Sequence, residues 1–308
     1  MVEPADLPIL VTGASGKLGR LIVCELLDRF GVPPEAVIAA TRSPDLLADF
    51  SRRGVVVRRA DFDEPHSLAP AFRGARRMIV ISTMGVRPYV DGQRSIQQIG
   101  AIRAGVAAGV DHIFYTSAPN PEPGTPAFWK HDHYRTEVAL TNSGVKWTIL
   151  RHWEWPNWHL SENWLSALKT GRYFTACGDG EINWVTREDH ARADAGALVS
   201  GTSANQRFDL TGPEPLNMSQ VMAMFGKVAG RDIEIVRCEP QELEGHLVEA
   251  GTDPDAIPFF VDGARAVRRG LYAGKTNAIE ELTGIAPTLL LDFLAANADA
   301  VRAGRKIP

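Results

Sequence analysis

Cysteine is scarce. The 308 residues contain three, Cys24, Cys177 and Cys238, far apart and in no C-x-x-C spacing, which excludes a disulfide framework and the common zinc arrangements and fits thiols of a reducing compartment. Positive charge is not in excess: 33 Lys+Arg stand against 37 Asp+Glu for a net charge of -4. The basic footprint that a phosphate backbone demands is missing, so no nucleic-acid partner is expected. No apolar run approaches the roughly 20 residues that span a bilayer, and the opening MVEPADLP lacks the charged and apolar regions of a signal peptide. A cytoplasmic protein with no membrane partner is the expectation. Internal repeats are lacking too, which removes solenoid folds. What remains is ordinary globular composition, 44% hydrophobic and 23% charged, with ample apolar surface for a core.

The first half alternates short apolar runs with helical patterns, the signature of βαβ units. Strands are predicted at Pro8 to Val11, Val37 to Thr41, Val55 to Val57, Met78 to Ser82, His112 to Thr116 and Trp147 to Leu150. Helices are predicted between them at Lys17 to Arg29, Pro65 to Phe72, Gln93 to Ala108 and His131 to Asn142, from apolar residues at three- and four-residue spacing. The fold class that follows is α/β, a doubly wound parallel-sheet Rossmann fold with a smaller, mainly helical substrate lobe. After Arg151 the rhythm breaks into a tryptophan-rich stretch, then resumes with a helix from Arg187 to Ser200 and a strand at Phe208 to Leu210. Residues 1–155 with 181–212 are read as the nucleotide-binding domain. Residues 156–180 with 213–308 are read as the capping lobe, with helices at Ser219 to Ala229, Pro240 to Ala250, Ile257 to Leu271 and Thr288 to Arg302 and a strand at Ile233 to Val236.

The sharpest local feature is Thr12-Gly13-Ala14-Ser15-Gly16-Lys17-Leu18-Gly19, a G-x-x-G-x-x-G between the first strand and its helix. Glycines there allow a tight turn and close approach of backbone N–H groups to a pyrophosphate at the positive end of a helix dipole. Strand two ends in Ala39-Ala40-Thr41-Arg42-Ser43, with no carboxylate for a ribose 2'-hydroxyl. Arg42 offers a guanidinium suited to a 2'-phosphate, so NADP(H) is favoured over NAD, the plainer alternative being a solvated loop cation.

With Ala60-Asp61-Phe62-Asp63, Ile81-Ser82-Thr83, His112-Ile113-Phe114-Tyr115-Thr116-Ser117, His133-x-x-Thr136-Glu137, Trp147-Thr148-Ile149-Leu150-Arg151 and Leu210-Thr211-Gly212, the chain resembles the NmrA-like atypical short-chain dehydrogenases. The likeness is greatest to members of the quinone-reductase and triphenylmethane-reductase type. The resemblance implies that Asp61 and Phe62 lie beside the adenine and Ser82 and Thr83 along the ribose. It adds Ser117 and His133 to a cofactor set that includes Gly13, Ser15, Gly16, Lys17, Leu18, Gly19 and Arg42.

Ordinary short-chain dehydrogenases carry Tyr-x-x-x-Lys, and here Trp129 and His133 stand at those positions. The usual proton donor is missing. His133, with Tyr134 beside it, is the catalytic candidate because an imidazole suits proton exchange near neutrality; local packing is the other reading, and His131 offers a competing register. Without a strong acid, an electron-poor planar acceptor is favoured over a simple ketone. His152, Trp153, Trp155 and Trp158 are the candidate walls for such a substrate, unless they pack the lobe. The resulting expectation is an NADP(H)-dependent oxidoreductase transferring hydride to a quinone-like or other conjugated aromatic acceptor, with a homodimer allowed. The alternative is a non-catalytic NmrA-like NADP-binding redox sensor regulating a partner protein; an epimerase or lyase ranks lower, since no acid/base pair is evident.

Overall fold

The computed structural model describes residues 6–83, 92–127, 130–161, 163–200, 203–249 and 251–307. Its strands are β1 (Ile9–Val11), β2 (Val37–Thr41), β3 (Val56–Arg59), β4 (Arg77–Val80), β5 (His112–Ser117), β6 (Lys146–His152), β7 (Arg172–Thr175), β8 (Glu181–Asn183), β9 (Gln206–Leu210), β10 (Pro215–Asn217) and β11 (Glu234–Arg237). Among the described residues, seven of them form one parallel sheet in the order β3-β2-β1-β4-β5-β6-β9. Every residue of β1, β2, β4 and β5 is buried, as a parallel sheet covered on both faces requires.

Side chains alternate across the strands and divide the core into two layers. Ile9, Val11, Ile79, Phe114 and Leu150 point to the face covered by helices Lys17–Cys24 and Arg187–Val199, where Ile22 and Leu198 complete the layer. Leu10, Met78, Ile113, Tyr115 and Ile149 point the other way, against Phe72, Ile102 and Leu140 of helices Leu68–Phe72, Gln93–Ala107 and Lys130–Thr141. Chain order reverses between β1 and β4, which opens a crevice at their carboxyl ends.

A third apolar cluster, centred on Trp164, Trp184, Phe225 and Leu294, builds the lobe. There β7 pairs in parallel with β11 and β8 antiparallel with β10. The strand at Glu181–Asn183, expected in the nucleotide-binding domain, thus pairs with Pro215–Asn217, expected in the capping lobe. The single helix expected over Thr288 to Arg302 is two, Leu290–Ala296 and Ala298–Arg302. Asn297 leaves helical geometry and its side-chain amide donates to the Phe293 carbonyl at 2.8 Å, which breaks the run. No helix among the described residues is long and apolar enough to cross a membrane.

Candidate active site

The turn after β1 is shaped by its glycines. Gly13 sits at φ +59°, a left-handed conformation that favours glycine. The Ala14 N–H donates to the Ala40 carbonyl at 3.0 Å and the Gly16 N–H to the Gly13 carbonyl at 2.9 Å, folding the loop back onto β2. Gly16 precedes the helix with no side-chain cap, so the first-turn N–H groups keep their free valence for a ligand. A Cβ on Gly19 would come within 2.8 Å of the Ala14 Cα, and nearer still to the Gly13 carbonyl oxygen. Helix and turn thus touch backbone to backbone. Across the crevice the Ile81 N–H donates to Thr12 Oγ1 at 3.0 Å, tying β4 to the same turn.

At the end of β2, Thr41 Oγ1 bonds Ser15 Oγ at 2.7 Å and accepts from the Ser43 N–H at 3.1 Å. Arg42, between them, is exposed. Arg20 and Arg59 pair with Asp49 and Glu64, whereas Arg42 has no ion-pair partner among the described residues. Beyond β3, Asp61 Oδ1 accepts from the Asp63 N–H at 3.1 Å, and the Asp61 N–H donates to Ser67 Oγ at 3.0 Å. Asp63 then accepts from Gln97 at 2.7 Å, and Gln97 in turn accepts from Thr83 Oγ1 at 2.7 Å. The Ser82 N–H donates to Thr116 Oγ1 at 2.8 Å. Gln97, which the sequence reading did not single out, thereby links the loops after β3 and β4, and Ser82 ties the latter to the end of β5.

His133 is buried with both ring nitrogens engaged. Arg94 donates to Nε2 at 2.9 Å, so Nδ1 carries the proton toward the Tyr115 hydroxyl at 2.8 Å, and that hydroxyl donates to Gln98. Burial, with the Arg94 charge beside it, holds the imidazole well below its ordinary pKa. A neutral ring held between two partners braces helix Lys130–Thr141 against β5, with its one N–H engaged by the Tyr115 hydroxyl. Tyr134, next along the chain, is partly exposed, and Trp129 lies outside the described residues. Ser117 Oγ donates to buried Glu137 at 2.7 Å, and Glu137 is held by Arg151 at 2.8 and 3.0 Å.

The aromatic stretch divides between packing and cavity. His152 bonds Asp194 at 2.8 Å and stacks on His190 with ring centroids 4.1 Å apart, beneath helix Arg187–Val199. Trp155 leans on the same pair. Trp153 is 5% exposed and donates to Asp209 at 3.0 Å. The side chain of Trp158 lies outside the described residues. Instead Glu154 and His159, paired at 3.1 Å, face a cavity of about 620 Å³ whose walls include Tyr173, Phe174, Phe260 and Tyr272. Behind Tyr272 lies Lys130, whose Nζ donates to the Pro119 carbonyl at 2.6 Å just past β5. Glu154, Tyr272 and Lys130 went unread in the sequence because they come from three separate segments. The one local hint is that Lys130 precedes His133 by three residues and so shares its helical face.

A glycine turn at a helix N-terminus, opening on the crevice where strand order reverses, is the arrangement in which open α/β sheets take dinucleotides. The sequence profile of the NAD(P)H-binding family matches residues 13–167, half of the chain, and the protein belongs to that family. Quinone oxidoreductase 2 of Escherichia coli (strain K12) is 28% identical over 291 residues, 93% of this chain and 97% of that protein. The NAD(P)H azoreductase of Xenophilus azovorans is 24% identical over 296 residues, 95% and 98% of the two chains. The structure of Citrobacter sp. triphenylmethane reductase complexed with NADP(H) superposes with a TM-score of 0.84 at 26% identity, covering 94% of this chain and 99% of the other. Within its family the protein is an NAD(P)H-dependent reductase of the atypical short-chain dehydrogenase type.

Proposed function

We propose that the protein transfers hydride from NADPH to a quinone-like or other conjugated aromatic acceptor. The observation that carries the acceptor half is the aromatic cavity. It begins at Glu154, two residues past β6, and at Tyr272, whose ring meets the lysine anchored just past β5, and its size suits a small aromatic molecule. Relatives named for quinone and azo reduction, and a structural neighbour named for triphenylmethane reduction, agree with it.

The residues present fit the dinucleotide, since the bare glycine surface at Gly13 and Gly16 leaves room that side chains would fill. In this reading the turn from Gly13 to Gly19 takes the pyrophosphate with Ser15, Lys17 and Leu18, and Arg42 takes the 2'-phosphate. Asp61 and Phe62 flank the adenine, with Ser82, Thr83 and Ser117 along the ribose. When bound, the cofactor supplies the hydride. The cavity offers aromatic walls to the acceptor. A conjugated acceptor spreads the charge it gains, so the locked His133 is no obstacle. The test is NADPH oxidation by purified protein with quinones, dyes, imines and simple ketones. Conjugated acceptors are expected to turn over fastest, and preference for simple ketones would defeat the reading.

A second reading, a non-catalytic NADP-binding redox sensor acting on a partner protein, draws on that same engagement of His133. Tight NADPH binding with no turnover on any acceptor would establish it in place of the first.

A further inference from the structure

Lys130 is 1% exposed, and a buried ammonium is costly unless its charge is compensated. Its Nζ has one carbonyl, that of Pro119, and the face of Tyr272, 4.0 Å from the ring centroid. Among the described residues no carboxylate lies within ion-pair distance of it. The charges that face it are more distant: Glu154 from the loop after β6, Glu122 from the segment after β5, Asp209 from β9, Arg151 from β6, and the neutral His133 one turn along its own helix. Burial pushes the ammonium down to about 7, against the pull of Glu154, Glu122 and Asp209.

We propose that Lys130 is the positioning residue that makes the acceptor cavity electrostatically receptive: its ammonium, held behind Tyr272, stabilises the negative charge that an acceptor gains as hydride arrives. The inference rests on the acceptor reading above. In that step a C–H bond of the dihydronicotinamide breaks and its hydrogen and electron pair pass to the acceptor. The nicotinamide is oxidised, and a neutral quinone becomes a monoanion until it takes one proton from water. A fixed cation in a water-poor site acts on that anion far more strongly than one in solvent.

The charge is present below about pH 7 and is lost as the pH rises through that value, so kcat should fall along an alkaline limb centred there. Lys130→Arg, which keeps its charge, should abolish the limb. Lys130→Met should lower kcat on the order of tenfold at low pH and also remove the limb. Glu154→Gln removes a carboxylate that favours the ammonium, and should move the limb to lower pH. A readout without cofactor or turnover is the visible spectrum of 4-nitrophenol mixed with the protein at pH 6.5, where the wild type should raise the phenolate fraction and Lys130→Met should not. An unchanged limb in Lys130→Arg, or equal ionisation of 4-nitrophenol by wild type and Lys130→Met, overturns the proposal. Should Lys130→Met fail to fold, the direction of the Glu154→Gln shift decides. If no acceptor oxidises NADPH, the acceptor reading falls while the nitrophenol measurement still judges the field of Lys130.

Discussion

Replacing Gly19 by alanine tests whether the nucleotide turn works through backbone contact. The added Cβ would lie 2.8 Å from the Ala14 Cα and 2.9 Å from the Gly13 carbonyl carbon, both main chain. Ordinary carbon contact begins near 3.5 Å, so the turn must retreat by roughly 0.7 Å. Overpacking of this kind costs about 1–3 kcal/mol, offset by about 1 kcal/mol because alanine suits a helix better than glycine. Stability should therefore fall by no more than about 2 kcal/mol, and the variant should fold. Cofactor affinity should suffer more, since the displaced N–H groups lose charge-assisted bonds worth about 1.5–3 kcal/mol each. Two such bonds weakened correspond to roughly a hundredfold rise in Kd. Gly226→Ala is the control: its Cβ would meet the Arg231 carbonyl oxygen at 2.6 Å, a comparable backbone clash in helix Met218–Ala229, away from the nucleotide turn. Calorimetric titration with NADPH and thermal unfolding of both variants separate the two effects. If Gly19→Ala binds NADPH as the wild type does, or no worse than Gly226→Ala, the turn does not act this way.

Arg42→Ala should weaken NADPH roughly tenfold and NADH hardly at all, as the exposed guanidinium loses only the 2'-phosphate; equal affinities for both cofactors in the wild type would exclude the assignment. His133→Ala should leave the Arg94 guanidinium buried without its acceptor and destabilise the fold by about 3 kcal/mol, read by denaturant unfolding, with its effect on kcat at matched folded fraction small. His112, stacked on Phe114 and bonded to Thr148, is pushed down to about 4 by burial and by Arg77, so it stays neutral in the fold while the unfolded chain protonates near 6.5. Stability should then fall as pH drops from about 6.5 toward 4, by about 3 kcal/mol in all, and His112→Gln should flatten that slope in urea titrations.

The large sheet was legible because its strands are short apolar runs punctuated by helical periods, and the glycine turn because Gly13, Gly16 and Gly19 recur every third residue within one short segment. The strand end at Arg42 is local in the same way, and the structure shows that residue exposed. The lobe was harder. Arg-Tyr-Phe-Thr, Glu-Ile-Asn and Pro-Leu-Asn carry no clear alternation, and their pairing as β7, β8 and β10 is imposed by partners up to 62 residues away, such as Glu234 opposite Arg172. The break at Asn297 was hidden because an asparagine is tolerated within a helical pattern unless its amide turns back on the preceding turn. The surroundings of His133 were hidden on the same principle: its partner Arg94 is 39 residues distant, and nothing in the local sequence shows which groups hold the ring.

One face of helix Lys130–Thr141 carries three buried polar side chains with different tasks. Lys130, His133 and Glu137 follow one another at three- and four-residue intervals and all three are buried. Glu137 is neutralised by Arg151 and takes the Ser117 hydroxyl, which fixes the end of β5 to β6. His133 is kept uncharged and joins the helix to Tyr115 and Gln98. Two of the three positions are thus spent on holding the carboxyl edge of the sheet rigid. Lys130 alone of the three carries a charge that no directly bonded group of opposite sign cancels among the described residues, and it is the one set against the cavity wall. A charge left unpaired on the rigid edge of a cleft is costly to folding and useful to a reaction that creates an anion there, so the face should tolerate exchange of Glu137 or His133 poorly in stability and exchange of Lys130 poorly in turnover.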